Sequence, residues 1–205
     1  MATTFEQDTA TPALLVHLRP VFEMTDEQFE ELCRINRDLG IEMTAEGDLI
    51  IMPPTGGRTG RRNNLLAKAL LRWEEQDPSG LSFDSSTGFT LPSGAKRSPD
   101  ASWVKRSRLA QLTEEEKEKF LPLCPDFVIE LRSASDSLAD LQAKMREYIE
   151  GGAELGWLID PQGKHVFVYR ADKSMEQLND PEALTGDPVL KGFVLALKSI
   201  WEADF

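Results

Sequence analysis

Two acidic residues stand where they could form a metal site. Glu130 lies inside the apolar run FVIEL, Phe127 to Leu131, whose branched and bulky side chains are typical of a buried strand. An unpaired carboxylate inside such a strand costs several kcal/mol. Glu130 is therefore either a surface-facing residue on a one-sided strand or a residue that holds a metal ion.

The second acid is Asp100, which follows Pro99 directly at the start of the predicted strand in RSPDASWV. If this strand and FVIEL are neighbours in a sheet, the alternation of side chains allows Asp100 and Glu130 to converge at one edge. Two carboxylates and a main-chain carbonyl, such as that of Leu131, form a hard-oxygen site suited to Mg²⁺ or Mn²⁺.

The helix predicted after FVIEL adds a cation. At 100° per residue, Lys144 lies about 60° from Leu141, at the margin of the apolar stripe. A lysine at this position can lie along the apolar surface and deliver its ammonium group to the end of the strand. The competing interpretation is an exposed i,i+4 ion pair between Lys144 and Asp140.

The surrounding sequence predicts the elements that must position these groups. A helix should begin after Thr25, which forms a capping box with Gln28, and should end at Gly40. A β-hairpin follows in IEMTAEGDLIIMPP, and a glycine loop then leads into a helix in TGGRTGRRNNLLAKALLRW. For the helix of Lys144, Ser135 or Asp136 is the predicted cap and Gly151-Gly152 the terminator.

The order of these elements is αββα, βββ, α/βα and ββ. It predicts an α/β (α+β) domain with a central mixed sheet flanked by helices, preceded by an N-terminal helix and hairpin. We expect residues 1–20 to be a loose tail and residues 21–205 to be a single domain.

The composition of the chain limits the classes of protein to which it can belong. The 205 residues carry a net charge of −12, and they contain no long apolar run and no recognisable signal peptide, so a cytoplasmic protein without a membrane span is expected. Cys33 and Cys124 are too few and too distant for a disulfide framework, and the two histidines, His17 and His165, are also far apart in the sequence.

The charge is unevenly distributed. Residues 54–108 hold ten Lys or Arg and five acids, so this segment carries +5 and the remainder −17. This pattern indicates either a basic face for a polyanion or an ordinary solvated surface. The loop TGGRTGRRNN lacks the pattern GxxxxGK[ST], so no binding of a nucleotide triphosphate is expected.

Several stretches in fixed order resemble one family. They are GDLIIMPPTGGRTGRRNNLL, FDSSTGFTLPSGAKRSPDASWVKRSRL, PLCPDFVIELRSASDSLADLQAKMREYIEGGAELGWLIDP and GFVLALKSIW. From about Glu42 onward the chain is similar to the Uma2 family (DUF820) of the PD-(D/E)xK nuclease superfamily. The resemblance implies a restriction-endonuclease-like core with a metal site at one end of the sheet.

The resemblance also assigns roles. Asp100 would supply the acid of the PD pair and Glu130 the second acid, with Mg²⁺ or Mn²⁺ as cofactor. The superfamily pattern places a lysine two residues after the second acid, where this chain has Arg132, so Lys144 would supply the missing ammonium group. Glu42 is a candidate further ligand, although an exposed strand acid explains it equally well.

The implied activity is hydrolysis of DNA phosphodiester bonds. Arg58, Arg61 and Arg62 are candidate contacts to substrate phosphate, and Arg132 either joins them or pairs with an acid. Related nucleases often pair to cut both strands, so a homodimer is a candidate assembly. Two alternatives remain: an inactive nuclease fold that serves as an interaction or nucleic-acid-binding module, and a nuclease for RNA or short single strands.

Overall fold

The structure, a computed structural model, describes residues 13–204. Its central sheet has six strands in the order β11-β10-β9-β8-β7-β4. The strands are β4 (Gly80–Asp84), β7 (Ala101–Lys105), β8 (Phe127–Leu131), β9 (Leu155–Asp160), β10 (His165–Arg170) and β11 (Met175–Asn179). Strands β8 and β9 are parallel and all other neighbours are antiparallel, which confirms the predicted mixed sheet.

A second sheet lies beside the first and has the order β1-β3-β2-β6-β5. Its strands are β1 (Leu14–Val16), β2 (Gly40–Met43), β3 (Leu49–Met52), β5 (Phe89–Thr90) and β6 (Lys96–Arg97). The predicted hairpin is the β2–β3 pair. A loose tail was predicted for residues 1–20. Residues 1–12 lie outside the part that the structure describes, and residues 14–16 instead form β1, which pairs with β3.

Helices cover both faces of the central sheet. The helices of residues 13–204 are α1 (Asp26–Ile35), α2 (Gly57–Glu74), α3 (Arg106–Leu109), α4 (Glu114–Lys117), α5 (Leu138–Glu150) and α6 (Lys198–Trp201), of which α1 packs on the second sheet. Helix α2 packs on one face through Leu66 and Leu70, together with α6 and the β12 (Ala183–Thr185) and β13 (Val194–Ala196) hairpin. Helix α5 packs on the opposite face through Met145 and Tyr148. The predicted flanking of the sheet by helices is thus confirmed.

The central strand β8 is buried along its whole length, because helices cover both faces of the sheet. Close packing also fixes the neighbouring helix α5. A Cβ atom on Gly156 of β9 would lie 2.4 Å from Met145 Cε and 3.3 Å from Val128 Cγ2, so the absence of a side chain lets α5 approach the sheet. This approach brings the buried face of α5 to the end of β8.

Two helix boundaries differ from the predictions. Helix α1 begins at the predicted Thr25 capping box but ends at Ile35, because the side chain of Asn36 donates to the Leu32 carbonyl; Gly40 instead begins β2. Helix α5 is capped by Ser137 rather than by Ser135 or Asp136. The Asp136 carboxylate accepts from the Ser133 amide and is therefore not available as a helix cap.

Within residues 13–204, none of the helices combines the length and the apolar character needed to cross a lipid bilayer.

Candidate active site

Asp100 and Glu130 lie at the same end of two neighbouring strands. Strand β7 pairs antiparallel with β8, and Ala101 lies opposite Ile129. Asp100, the residue before Ala101, therefore lies opposite Glu130. The Asp100 carboxylate accepts from the Leu131 amide at 2.8 Å and from Asn63 Nδ2 at 2.7 Å. Asp100 is thereby held between β8 and helix α2.

Glu130 is held from the opposite layer by helix α5. Its Oε1 lies 2.8 Å from Lys144 Nζ and accepts from the Tyr148 hydroxyl at 3.0 Å. The residue is 4% exposed, so Glu130 is not the surface-facing residue of a one-sided strand. Both of these contacts use Oε1, which leaves Oε2 for another partner.

Lys144 joins Glu130 to a third acid, Glu42 of strand β2. Lys144 Nζ lies 2.8 Å from Glu42 Oε1, and the Ser98 amide donates to the same oxygen at 2.9 Å. Glu42 is 2% exposed, so its interpretation as an exposed strand acid is wrong. The proposed surface pair of Lys144 with Asp140 is not among the ion pairs of the described residues, because Lys144 turns inward.

Arg97 joins Glu130, Lys144 and Glu42 in one buried cluster of charged side chains. It was not among the site residues predicted from the sequence. Its Nη1 contacts Glu42 Oε2 at 3.1 Å, and its Nε contacts Glu147 Oε2 at 2.6 Å. The side chain is 8% exposed. In KRSPD, Arg97 looks like an ordinary surface residue; the only available signal was its position three residues before Asp100, on the chain that leads into the acid.

Burial governs the protonation of the two central acids. It raises the pKa of Glu130 to about 7, an effect that the Lys144 ammonium opposes and the Asp100 charge reinforces. Burial also raises the pKa of Asp100, although the hydrogen bond from the Leu131 amide opposes this. The register of β7 and β8 sets Asp100 opposite Glu130, so the two carboxylates repel each other when both are ionised.

Glu42 and Lys144 are both charged at neutral pH. Burial acts to raise the pKa of Glu42, but the Lys144 and Arg97 charges outweigh it and lower the pKa below its ordinary value. Burial likewise acts to lower the pKa of Lys144, and the Glu130 and Glu42 carboxylates outweigh it, so the pKa rises above its usual range. Lys144 is therefore an ammonium ion at neutral pH.

The donor set fits a hard divalent cation. Carboxylates outnumber cations in the cluster, with Glu42, Asp100, Glu130 and Glu147 facing Lys144 and Arg97. Across residues 13–204, no three His, Cys, Asp or Glu side chains converge to enclose a metal ion by themselves. A cation held by Asp100 and Glu130 would therefore complete its shell with main-chain oxygen, water or substrate, as Mg²⁺ commonly does.

The remaining predicted site residues are less central. Leu131 contributes its amide N–H to Asp100, and its carbonyl remains a candidate ligand. Arg132 pairs with the buried Asp160 at 2.9 Å and also donates to the Asp136 carbonyl, so the position of the superfamily lysine holds a structural ion pair. Glu42 has both carboxylate oxygens engaged with Lys144, Ser98 and Arg97, which leaves it poorly suited to bind a metal.

Three of the four arginines of α2 lie near the helix N-terminus, namely Arg58, Arg61 and Arg62. Arg58 pairs with Asp204 at 3.0 Å, and Arg62 donates to the Ile200 carbonyl at 2.8 Å. Both line a shallow cleft with Trp201. Arg61 is exposed and makes no hydrogen bond or ion pair with the residues that the structure describes.

The fold has a counterpart among solved structures. A crystal structure from Anabaena variabilis, described as a "putative nuclease belonging to DUF820", matches with a TM-score of 0.72 at 21% sequence identity. The match covers 88% of this chain and 98% of the other chain. At this level of identity the similarity establishes the fold, which is that of a restriction-endonuclease-like protein.

The family follows from the sequence. The model of the Uma2 family, described as "Putative restriction endonuclease", matches residues 26–198. The chain therefore belongs to the Uma2 family, which confirms the resemblance. A comparison with curated proteins finds no match.

Proposed function

We propose that this protein is a metal-dependent endonuclease that hydrolyses DNA phosphodiester bonds. The observation that carries the proposal is the meeting of Asp100, Glu130 and Lys144 at one end of the central sheet, although Lys144 follows Glu130 by 14 positions. Family membership and fold support the nuclease class. Metal dependence and the assignment of each residue rest on the geometry and charges of the site.

Asp100 and Glu130 would hold Mg²⁺ or Mn²⁺, with the Leu131 carbonyl as a further ligand. The bound ion would supply charge stabilisation at the phosphoryl group and a lowered pKa for water. Glu130 has Oε2 available for this purpose, because Lys144 and Tyr148 both contact Oε1. The raised pKa of Glu130 means that a cation would compete with a proton for this carboxylate.

Lys144 would act as an ammonium ion rather than as a base. Its pKa is raised by Glu130 and Glu42, so it remains protonated at neutral pH. It can therefore orient water by donating a hydrogen bond, and it can stabilise negative charge on a phosphoryl oxygen. Glu42 and Arg97 would serve as positioning residues, because Glu42 contacts Lys144 and Arg97 in turn holds Glu42.

DNA is the proposed substrate, and the arginines at the start of α2 would contact its phosphates, namely Arg58, Arg61 and Arg62. Arg61 is the most available of them, since Arg58 and Arg62 already contact Asp204 and the Ile200 carbonyl. Arg132 is assigned instead to its structural pair with Asp160. Phosphate contacts of this kind position the backbone without reading sequence.

Calorimetric titration with Mn²⁺ and cleavage of plasmid, linear and single-stranded DNA test the proposal. Asp100→Asn and Glu130→Gln should each abolish cleavage and weaken Mn²⁺ binding by at least about tenfold, because each removes one anionic ligand. Asp140→Asn, an exposed acid on α5, is the matched control and should behave as the wild type. Wild-type protein that neither binds Mn²⁺ nor cuts any of these substrates would refute the proposal.

A second function is favoured by the saturation of the cluster. Lys144 already pairs with both Glu130 and Glu42, and Arg132 occupies the position of the superfamily lysine. These features also fit a nuclease fold that binds nucleic acid or a protein partner without cleaving. The same titration distinguishes the two, since a non-cleaving site of this kind should bind Mn²⁺ equally weakly with and without Asp100. RNA in the substrate panel tests the third alternative.

A further inference from the structure

One polar atom beside the acid pair has no partner. Asn63 Oδ1, on helix α2, is buried and makes no hydrogen bond with the residues that the structure describes. The other end of the same amide, Nδ2, donates to Asp100 Oδ1 at 2.7 Å. A buried acceptor without a donor costs about 1–3 kcal/mol, so its retention calls for an explanation.

The orientation of the amide follows from its neighbour. An ionised carboxylate accepts hydrogen bonds only, so the nitrogen of Asn63 faces Asp100 and Oδ1 is the amide atom left without a partner. Oδ1 and the nitrogen that contacts Asp100 are bonded to the same carbon of one planar amide. The unpartnered oxygen is therefore close enough to Asp100 for a water bound to a cation there to reach it.

A donor is expected there if the proposed metal site is correct, and the inference rests on that proposal. Fewer than three side chains of the described residues converge on a metal, so water would complete the shell. Water bound to a cation donates its protons outward and needs acceptors. Asp100 and Glu130 would be engaged with the cation, whereas Asn63 Oδ1 is neutral, buried and unused.

We infer that Asn63 is a water-binding residue of the metal site, with Oδ1 accepting a hydrogen bond from a water bound to the divalent cation at Asp100. Nδ2 at the same time orients the Asp100 carboxylate. Helix α2 thus supplies both halves of one amide to the site: the nitrogen to the acid and the oxygen to the water.

Two variants on the same helix measure the effect in solution. Asn63→Ala removes the amide, and Asn64→Ala changes the adjacent, exposed asparagine as the matched control. Calorimetry with Mn²⁺ should show about 10–100-fold weaker binding for Asn63→Ala and wild-type binding for Asn64→Ala, as expected for an outer-shell partner. Equal Mn²⁺ affinity of the two variants would overturn the inference. Asn63→Gln, which keeps the amide but displaces it by one methylene, should also bind more weakly and replaces Asn63→Ala if that protein does not fold.

A crystal of the wild-type protein soaked in Mn²⁺ separates the water-binding role from orientation of Asp100 alone. The expected result is a manganese peak at Asp100 with a coordinated water within hydrogen-bond distance of Asn63 Oδ1. A manganese peak at Asp100 without such a water would overturn the inference and leave the proposed function intact. No manganese peak, together with no calorimetric binding by the wild type, would overturn both.

Discussion

Lys144 Nζ lies 2.8 Å from Glu42 Oε1, although the two residues are 102 positions apart in the chain. The same nitrogen lies 2.8 Å from Glu130 Oε1. The ammonium group therefore reaches the acid from the neighbouring helix rather than from the strand that carries the acid. Arg132, which stands where the superfamily pattern has its lysine, is free to form a separate ion pair with Asp160.

Removal of the Lys144 ammonium should destabilise the protein. In Lys144→Met, Glu42 and Glu130 lose their shared cation while they remain buried, so we expect the free energy of unfolding at pH 8 to fall by about 3 kcal/mol. Urea denaturation measures this change. Lys68→Met, at an exposed position on α2, is the control and should change stability by less than about 0.5 kcal/mol. Similar losses in both variants would contradict the prediction.

Stability should depend on pH through Glu130. Its pKa is about 7 in the folded protein and ordinary in the unfolded chain, so the folded state holds the proton more firmly. Its stabilising contribution is complete below the unfolded pKa and is lost as pH rises towards 7. The lowered pKa of Glu42 acts in the opposite direction and mainly at more acidic pH.

We therefore expect Glu130 to reduce the free energy of unfolding by about 1–3 kcal/mol between roughly pH 4.5 and pH 7, with little further change above this range. Denaturation at a series of pH values measures the slope, and Glu130→Gln should remove it. Glu150→Gln, at an exposed acid on the same helix, should preserve the wild-type slope. If the free energy of unfolding of Glu130→Gln still falls between pH 4.5 and pH 7, a group other than Glu130 is responsible for the pH dependence.

Arg97 should be needed for stability. Arg97→Met leaves Glu42 with only Lys144 as its cation, and we expect a loss of about 3–5 kcal/mol in the free energy of unfolding. Arg97→Lys keeps the charge but cannot reproduce the two-sided contact, so an intermediate loss is expected. Chemical denaturation of both, with the exposed Arg146→Met as control, tests this; an Arg97→Met protein as stable as the control would exclude the role.

Arg61 should contribute to DNA binding through a phosphate. In an Asp100→Asn background, which prevents cleavage, Arg61→Ala should weaken binding equally for all sequences. Loss of one phosphate contact should reduce the slope of log Kobs against log salt concentration by about 0.9. Fluorescence anisotropy at several salt concentrations measures the slope, with the exposed Arg72→Ala near the other end of α2 as control. An unchanged slope in Arg61→Ala would remove it from the interface.

The sequence was sufficient to place Asp100, Glu130 and Lys144 because each lies in a regular local pattern. Alternation along two strands and the periodicity of one helix determine which way these side chains point. The strands proved to be neighbours, and the lysine at the margin of the apolar stripe reaches the end of β8. The roles of these residues remain predictions.

Glu42 and Arg97 could not be placed in the same way, because their burial depends on contacts between distant segments. Strands β2 and β6 meet through the single pair of Met43 and Lys96, and no local periodicity encodes that pairing. A charged residue on a short strand resembles a surface residue until its partner is known. The start of α5 was missed for a similar reason, since Asp136 and Ser137 are both good caps and only the turn geometry selects between them.

The contacts of Lys144 also determine when the site can come into existence. Glu42 belongs to the first quarter of the polypeptide, whereas the lysine that joins it to Glu130 follows more than a hundred residues later. During synthesis, a nascent chain that does not yet include α5 contains Asp100 and Glu130 but lacks Lys144. The proposed site is therefore incomplete in any fragment that ends before this helix, because such a fragment lacks the cation that joins Glu42 to Glu130.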